Sequence, residues 1–399
     1  MTNYRMIMKY NFDEIVPREN TDCLKYDIRK EVYGREDIIP MWIADMDFKT
    51  PPFIMEAMRK RMEHEILGYT QKCGAWLPAI QRWALSRYGW EVSAEWVEHV
   101  SGIVPAISFA VQCLTEKGDK VLIQPPVYHP YFHVPEWNER VVVTNPLKLV
   151  DGQYQIDFED FEQKVKECKL FLLCHPHNPG GRVWLREELV RIAEICAENN
   201  VIVISDEIHA DMTFKGYTHI PFATVSEKAA MNSITMMAAS KSFNIAGLMS
   251  SFTIIPNKEL RDRYNGYLMK SELNHAHIFA TIATAAAFSD EGAVWLEQLV
   301  DYITANVDYM EKFIAEKMPL LGIVRPQASY LVFLDCRKLN LDKEQLVDFC
   351  VNKARIAMNE GSTFGVEGAG FMRMNVGCPL STLKEALEQL LVAYNELVK

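Results

Sequence analysis

The sequence predicts an α/β fold: a mostly parallel central sheet in a large domain, completed by a smaller α+β domain. Three observations carry this expectation. From about residue 95 onward, short apolar runs alternate with helix-patterned segments, as strands joined by crossover helices do. The chain has 399 residues, 49% of them hydrophobic and 24% charged, which is more than one small core needs. The strand-like runs also end on polar residues, where open α/β sheets place their ligands.

The first fifty residues lack helical periodicity and break at Pro51 and Pro52, so they are expected to pack as an arm against the C-terminal domain. SGIVPAISFAVQCL, from Ser101, sets a glycine turn ahead of an apolar-periodic helix. The predicted strands are KVLIQPP from Lys120, RVVVTNP from Arg140, KLFLLCHP from Lys169, VIVISDE from Val201, SITMMAAS from Ser233 and SFTIIPN from Ser251. Between the third and fourth, Leu185, Leu189, Ile192 and Cys196 recur every three or four residues and predict one apolar face of a crossover helix. From about residue 340 the character changes, with DKEQLVDFCVNKARI and STLKEALEQLLVAYNELV reading as amphipathic helices around the strand-like SYLVFLDC. The expected division is 1–57 for the arm and part of the small domain, 58–290 for the large domain and 291–399 for the small C-terminal domain. No internal repeat or low-complexity linker interrupts it.

A formal charge of -11, with no clustered Lys/Arg stripe, argues against a nucleic-acid partner and favours small molecules. Nine cysteines are too sparse for a disulfide scaffold, and none forms a CxxC pair, Cys168 and Cys174 being too far apart. Reduced thiols in the cytoplasm are the simplest account. The N-terminal stretch breaks its apolar positions with charges, so neither a signal peptide nor a membrane span is expected, and no later apolar run approaches bilayer length.

Four polar residues stand at or near strand ends: Tyr128 in PPVYHPY, Asn178 in HPHNPGG, Asp206 in ISDEIHAD and Lys241 in AASKSFNIAGL. Each alone has a bland reading, Lys241 as a surface charge and Tyr128 as a half-buried aromatic. DEIHAD, with His175 and His177, could alternatively be a metal site. On a strand, however, Asp206, Ile208 and Ala210 share one face while Glu207, His209 and Asp211 share the other, so no single ligand cluster is expected and no metal is assigned. His275 and His277 read as polar packing, and Cys174 has no His-Asn pattern beside it.

With WIADMDF at Trp42 and FMRMNVGCP at Phe371, these motifs resemble the fold-type I pyridoxal phosphate (PLP) enzymes of the class I/II aminotransferase superfamily. Within them the sequence is similar to the cystathionine β-lyases, or C-S β-lyases, of the MalY/PatB type. The resemblance spans nearly the whole chain. The intervals of 28 positions from Asn178 to Asp206 and 35 from Asp206 to Lys241 are similar to those between the family's cofactor residues.

The resemblance implies a role for each residue, and chemistry supplies a reason. Lys241 would carry PLP as a Schiff base and later move protons at the substrate α-carbon. Asp206 would keep the ring nitrogen cationic, so that the ring accepts the carbanion's electron pair. Asn178 would donate to the phenolate oxygen, Tyr128 would lie on the ring face, and His209 belongs to the same cofactor set. Backbone N–H groups near Gly102, Ile103 and Val104, with the Ser240 hydroxyl, would hold the phosphate at a helix N-terminus. Tyr69 in LGYTQ matches the tyrosine that reaches the neighbouring subunit's phosphate, which implies a homodimer with shared active sites. Arg373 would take the substrate α-carboxylate in its fork, with Asp45 also in the substrate set. Position 249, where the wider superfamily often has a phosphate-binding arginine, is Met249, as the β-lyase group resembles. Loop residues near Trp42, Asp45 and Asn359 would set the leaving group.

The function so implied is a cytoplasmic PLP-dependent C-S β-lyase. It would cleave L-cystathionine or cysteine-like S-conjugates to pyruvate, ammonia and a thiol, homocysteine in the case of cystathionine. Two other possibilities stay open: an aminotransferase on the same fold, and a MalY-like regulatory protein that keeps PLP but acts through a protein partner.

Overall fold

A computed structural model describes residues 10–399; the first nine residues of the expected arm lie outside them. The central sheet has seven strands: β1 (Val97–Val100), β2 (Lys120–Ile123), β3 (Val141–Thr144), β4 (Leu170–Cys174), β5 (Ile202–Asp206), β6 (Ser233–Met237) and β7 (Ser251–Ile254). Their spatial order is β1-β7-β6-β5-β4-β2-β3. From β3 to β6 all neighbours run parallel. Only β7 is reversed, antiparallel to both β6 and β1. The sheet is therefore mostly parallel, as expected, and all six predicted strands are present.

Every residue of β4 and β6 is buried, which is why these strands read as continuous apolar runs without alternation: helices cover both faces of the parallel region. β1 escapes the sequence reading because its middle is Glu98 and His99, although His99 is buried. The crossover helix spans Arg186–Glu198 and buries Leu189, Ile192, Ala193, Ile195 and Cys196. Burying each large side chain here contributes roughly 1.5–3 kcal/mol. Leu185 does not belong to that face. It is the N-cap, 47% exposed, and its backbone N–H donates to the Glu188 carboxylate at 2.7 Å.

A second, antiparallel sheet takes its strands in the order Gly322–Val324, Leu331–Asp335, Phe371–Asn375 and Asn359–Glu360. The long helix Asp290–Lys317 and the helix Leu380–Leu397 pack with it. DKEQLVDFCVNKARI is not one α-helix: Lys343–Asp348 is α, and Phe349–Lys353 widens into a π turn. In the arm, Leu24–Asp27 and Arg29–Tyr33 form short helices, and Ile39–Pro40 pairs in parallel with Ile356–Ala357. After the break at Pro51 a helix starts on Pro52, whose missing N–H costs nothing in a first turn. The carboxyl ends of β4, β5 and β6 meet the helix Ile103–Leu114 and the arm, and the candidate site lies there.

Candidate active site

Lys241 follows β6 on a turn pinned from beneath. The Ser242 hydroxyl donates to the Asp211 carboxylate at 3.2 Å, which also receives the Trp83 indole N–H at 2.8 Å and the Tyr88 hydroxyl at 2.5 Å. The Lys241 amine donates to the Ala44 carbonyl at 2.6 Å. That carbonyl sits in WIADMDF, a segment held by side chains on either flank. Asn375 donates to the carbonyls of Ile43 and Asp45, each at 2.6 Å, and Asn244 to those of Met46 and Phe48, each at 2.8 Å. Burial pulls the Lys241 amine down to about 8, with Asp45 opposing the shift. Below that value each pH unit cuts the free, nucleophilic amine about tenfold.

Asp206 ends β5 and is 6% exposed. Its carboxylate accepts from the Tyr131 hydroxyl at 3.1 Å and from the Ile208 backbone N–H at 3.1 Å. Burial raises it to about 6 although both hydrogen bonds favour the charged form. The result is a carboxylate that is ionised at neutral pH and stabilised further by any cation set against it.

Lys241 and Asp206 line one cavity of about 210 Å³ together with Asn178, Tyr128, His209, Ser240, Ile103, Val104, Gly102 and Met249. Asn178 accepts from Arg373 on its Oδ1 at 3.2 Å, which leaves its amide N–H groups as the free end. At the cavity's other end the helix Ile103–Leu114 begins. Its first intrahelical bond runs from Ala106 N–H to the Gly102 carbonyl, and Pro105 has no N–H. The N–H groups of Ile103 and Val104 are thus the unpaired donors of that first turn. Gly102 has φ +156°, a conformation that side chains avoid, and an added Cβ would crowd Pro105 at 3.3 Å.

Arg373 stands beside the cavity in the strand Phe371–Asn375 and is 4% exposed. Its fork meets only neutral acceptors: Asn178 Oδ1, the Trp42 carbonyl at 3.0 Å and Asn359 Oδ1 at 2.7 Å. Burial lowers it to about 10, so it stays charged, and no acidic side chain among the described residues pairs with it. A buried cation without a counter-ion is costly, and an incoming carboxylate would relieve it.

Two expected residues stand apart. Asp45 does not line the cavity; its oxygens bind Arg18 at 2.7 and 3.1 Å. Tyr69 is fully exposed and touches none of the site residues of its own chain. The strand alternation expected through DEIHAD is overturned, because β5 stops at Asp206 and Ala210–Met212 is a 3-10 turn. His209 consequently lines the same cavity as Asp206 and Ile208. Burial pulls its imidazole down to about 3, so it is neutral. His175 binds the Ile220 carbonyl at 3.0 Å, and His277 caps the helix Ile278–Ala287. Tyr131 and the Ala44 carbonyl were not anticipated. Tyr131 reads as one more apolar helix residue, and a backbone carbonyl carries no sequence signal.

The donor set of the cavity fits a phosphorylated pyridine aldehyde. An amine held partly neutral, a buried carboxylate, two unpaired helix N–H groups and the Ser240 hydroxyl line the cavity and match the aldehyde, the ring nitrogen and the phosphate in turn.

The family described as "Aminotransferase class I and II" matches residues 36–390. The cystathionine beta-lyase PatB of Bacillus subtilis is 42% identical over 385 residues, covering 96% of this chain and 99% of that protein. Protein MalY of Escherichia coli is 34% identical over 389 residues, covering 96% and 98%. Among solved structures, the PLP-bound C-S lyase of Staphylococcus hominis superposes with a TM-score of 0.90 at 34% identity, covering 97% of this chain and 98% of that one.

Proposed function

The chain belongs to the aminotransferase class I and II family, and from that premise we propose that it is a PLP-dependent C-S β-lyase acting on L-cystathionine or related cysteine S-conjugates. The observation that carries this is a half-buried amine and a buried carboxylate lining one cavity, with a buried guanidinium beside it that has no acidic partner among the described residues. PLP, when bound, supplies the sink for the electron pair left at the substrate α-carbon. Lys241 would hold it through its amine, and its Nζ would receive the substrate α-proton. Asp206 keeps the ring nitrogen cationic, with Tyr131 and Ile208 orienting its carboxylate. Asn178 would donate to the ring oxygen, Tyr128 would cover the ring, and His209, a neutral imidazole lining the same cavity, would belong to the cofactor site. Ile103, Val104 and Ser240 bind the phosphate. Arg373 holds the substrate carboxylate, and Asp45, through Arg18 and the WIADMDF segment, keeps the wall of the substrate site in place.

Loss of the sulfur from the β-carbon distinguishes a lyase from an aminotransferase, which needs a keto-acid acceptor. L-cystathionine alone is expected to yield homocysteine, pyruvate and ammonia over many turnovers. Turnover that stops at one equivalent and resumes only on adding a keto acid would sink the lyase assignment in favour of the aminotransferase.

We further assign a homodimer in which Tyr69 serves the neighbour's phosphate; its full exposure in the single chain supports this. Mixing Lys241→Ala with Tyr69→Phe subunits should then restore activity above either parent, because the hybrid contains one site with neither lesion. Confirmed hybrids without recovery would assign Tyr69 to its own chain. We assign the cytoplasm as the compartment on the free state of all nine cysteines. We assign the domain limits at 57/58, a position inside the helix Pro52–Met62, and at 290/291, where the helix Asp290–Lys317 begins.

A further inference from the structure

A second cleft, of about 560 Å³, lies between the helix Pro130–Trp137 and the loop after Asn359–Glu360. His129, Phe132, His133 and Glu136 line one wall, and Asn359 and Thr363 stand on the other. It adjoins the site already described. Asn359 accepts from Arg373 at 2.7 Å, and the ring of His129 packs edge-on against that of Tyr128 with centroids 4.8 Å apart. A substrate whose carboxylate is held by Arg373 therefore lies next to the mouth of this cleft.

The lining has a definite chemistry. Among the described residues no lysine or arginine lines the cleft. Glu136, an exposed residue that lines the cleft, has no hydrogen-bond or ion-pair partner for its carboxylate among the described residues. The Ser362 hydroxyl donates to the Glu360 carboxylate and the Thr363 hydroxyl to the Glu360 carbonyl. Their protons are spent, and what they offer a ligand is oxygen lone pairs. Phe132, with the rings of His129 and His133, adds aromatic surface. One free anion, the lone pairs of Ser362 and Thr363 and aromatic surface, set against the neutral donor group of the Asn359 amide, favour an ammonium group over a lone carboxylate.

We infer that this cleft is the subsite for the departing thiol, and that Glu136 selects S-conjugates whose leaving thiol carries an ammonium group. The leaving half of cystathionine carries one. This rests on the lyase assignment above.

The test compares S-(2-aminoethyl)-L-cysteine with S-ethyl-L-cysteine, which differ by the amine alone, and includes β-chloro-L-alanine, whose chloride needs no subsite. The ratio of kcat/KM for the aminoethyl over the ethyl substrate is expected to be about fivefold in the holoenzyme, on the scale of a single solvent-accessible ion pair. It should fall to about one in Glu136→Gln and below one in Glu136→Lys. Calorimetric titration of the non-catalytic Lys241→Ala protein with the same two compounds should show the same ordering of Kd, independently of turnover. Ratios that agree across all three Glu136 proteins, with pyruvate formed from β-chloro-L-alanine, would overturn the subsite and leave the lyase assignment standing. No pyruvate from any of the three compounds would overturn both.

Discussion

Lys241→Ala is expected to reduce pyruvate formation from L-cystathionine by about 10³-fold or more, the scale of losing both a positioned proton carrier and a covalent anchor. The physical case is the environment of its amine. It is half-buried, pulled down to about 8 by desolvation, and donates at 2.6 Å to the Ala44 carbonyl in a segment that Asn375 and Asn244 fasten on either side. Losing the amine removes the proposed acceptor of the α-proton, while the side-chain truncation leaves the turn in place, since Ser242 still reaches Asp211. The variant should fold and bind PLP without a covalent bond. Activity within tenfold of the parent would assign the proton transfer to another base.

Asp206→Ala is expected to lower kcat by about 10²–10³-fold, the usual range for deleting one preorganised electrostatic contact to the reacting system. Its carboxylate is ionised at neutral pH despite burial, because Tyr131 and the Ile208 N–H donate to it. Without it the ring nitrogen loses its proton and accepts the α-carbon's electron pair poorly. The Tyr131 hydroxyl is left without this acceptor, at about 1–3 kcal/mol. Measured kcat, with cofactor content assayed separately, distinguishes this from simple loss of PLP. Near-normal kcat in cofactor-loaded protein would remove Asp206 from the role.

Much of the fold is legible because parallel strands buried on both faces must be apolar throughout. KLFLLC and SITMM could hardly be anything else, and both are strands. β1 was not legible: its polar centre, Glu98 and His99, is tolerated beside β7 for tertiary reasons that no local pattern expresses. The face assignment through DEIHAD failed for a similar cause. Periodicity says where a strand would alternate but not where it stops, and this one stops at Asp206, bringing His209 to the same cavity. The lining residues Lys241, Asp206, Asn178 and Tyr128 stand in recognisable motifs at strand ends. What those motifs could not reveal are partners made by backbone or by remote residues: the Ala44 carbonyl under Lys241, Tyr131 against Asp206, and the three neutral acceptors around Arg373.

The central claim is that Lys241 carries the cofactor in this cavity, and borohydride reduction followed by peptide mass spectrometry tests it most directly. Purified yellow protein should lose its visible absorption band on reduction, and the phosphopyridoxyl mass should appear on the peptide containing Ser240, Lys241 and Ser242 and on no other. A protein that stays colourless after incubation with PLP, or a label fixed on a different lysine, would contradict it.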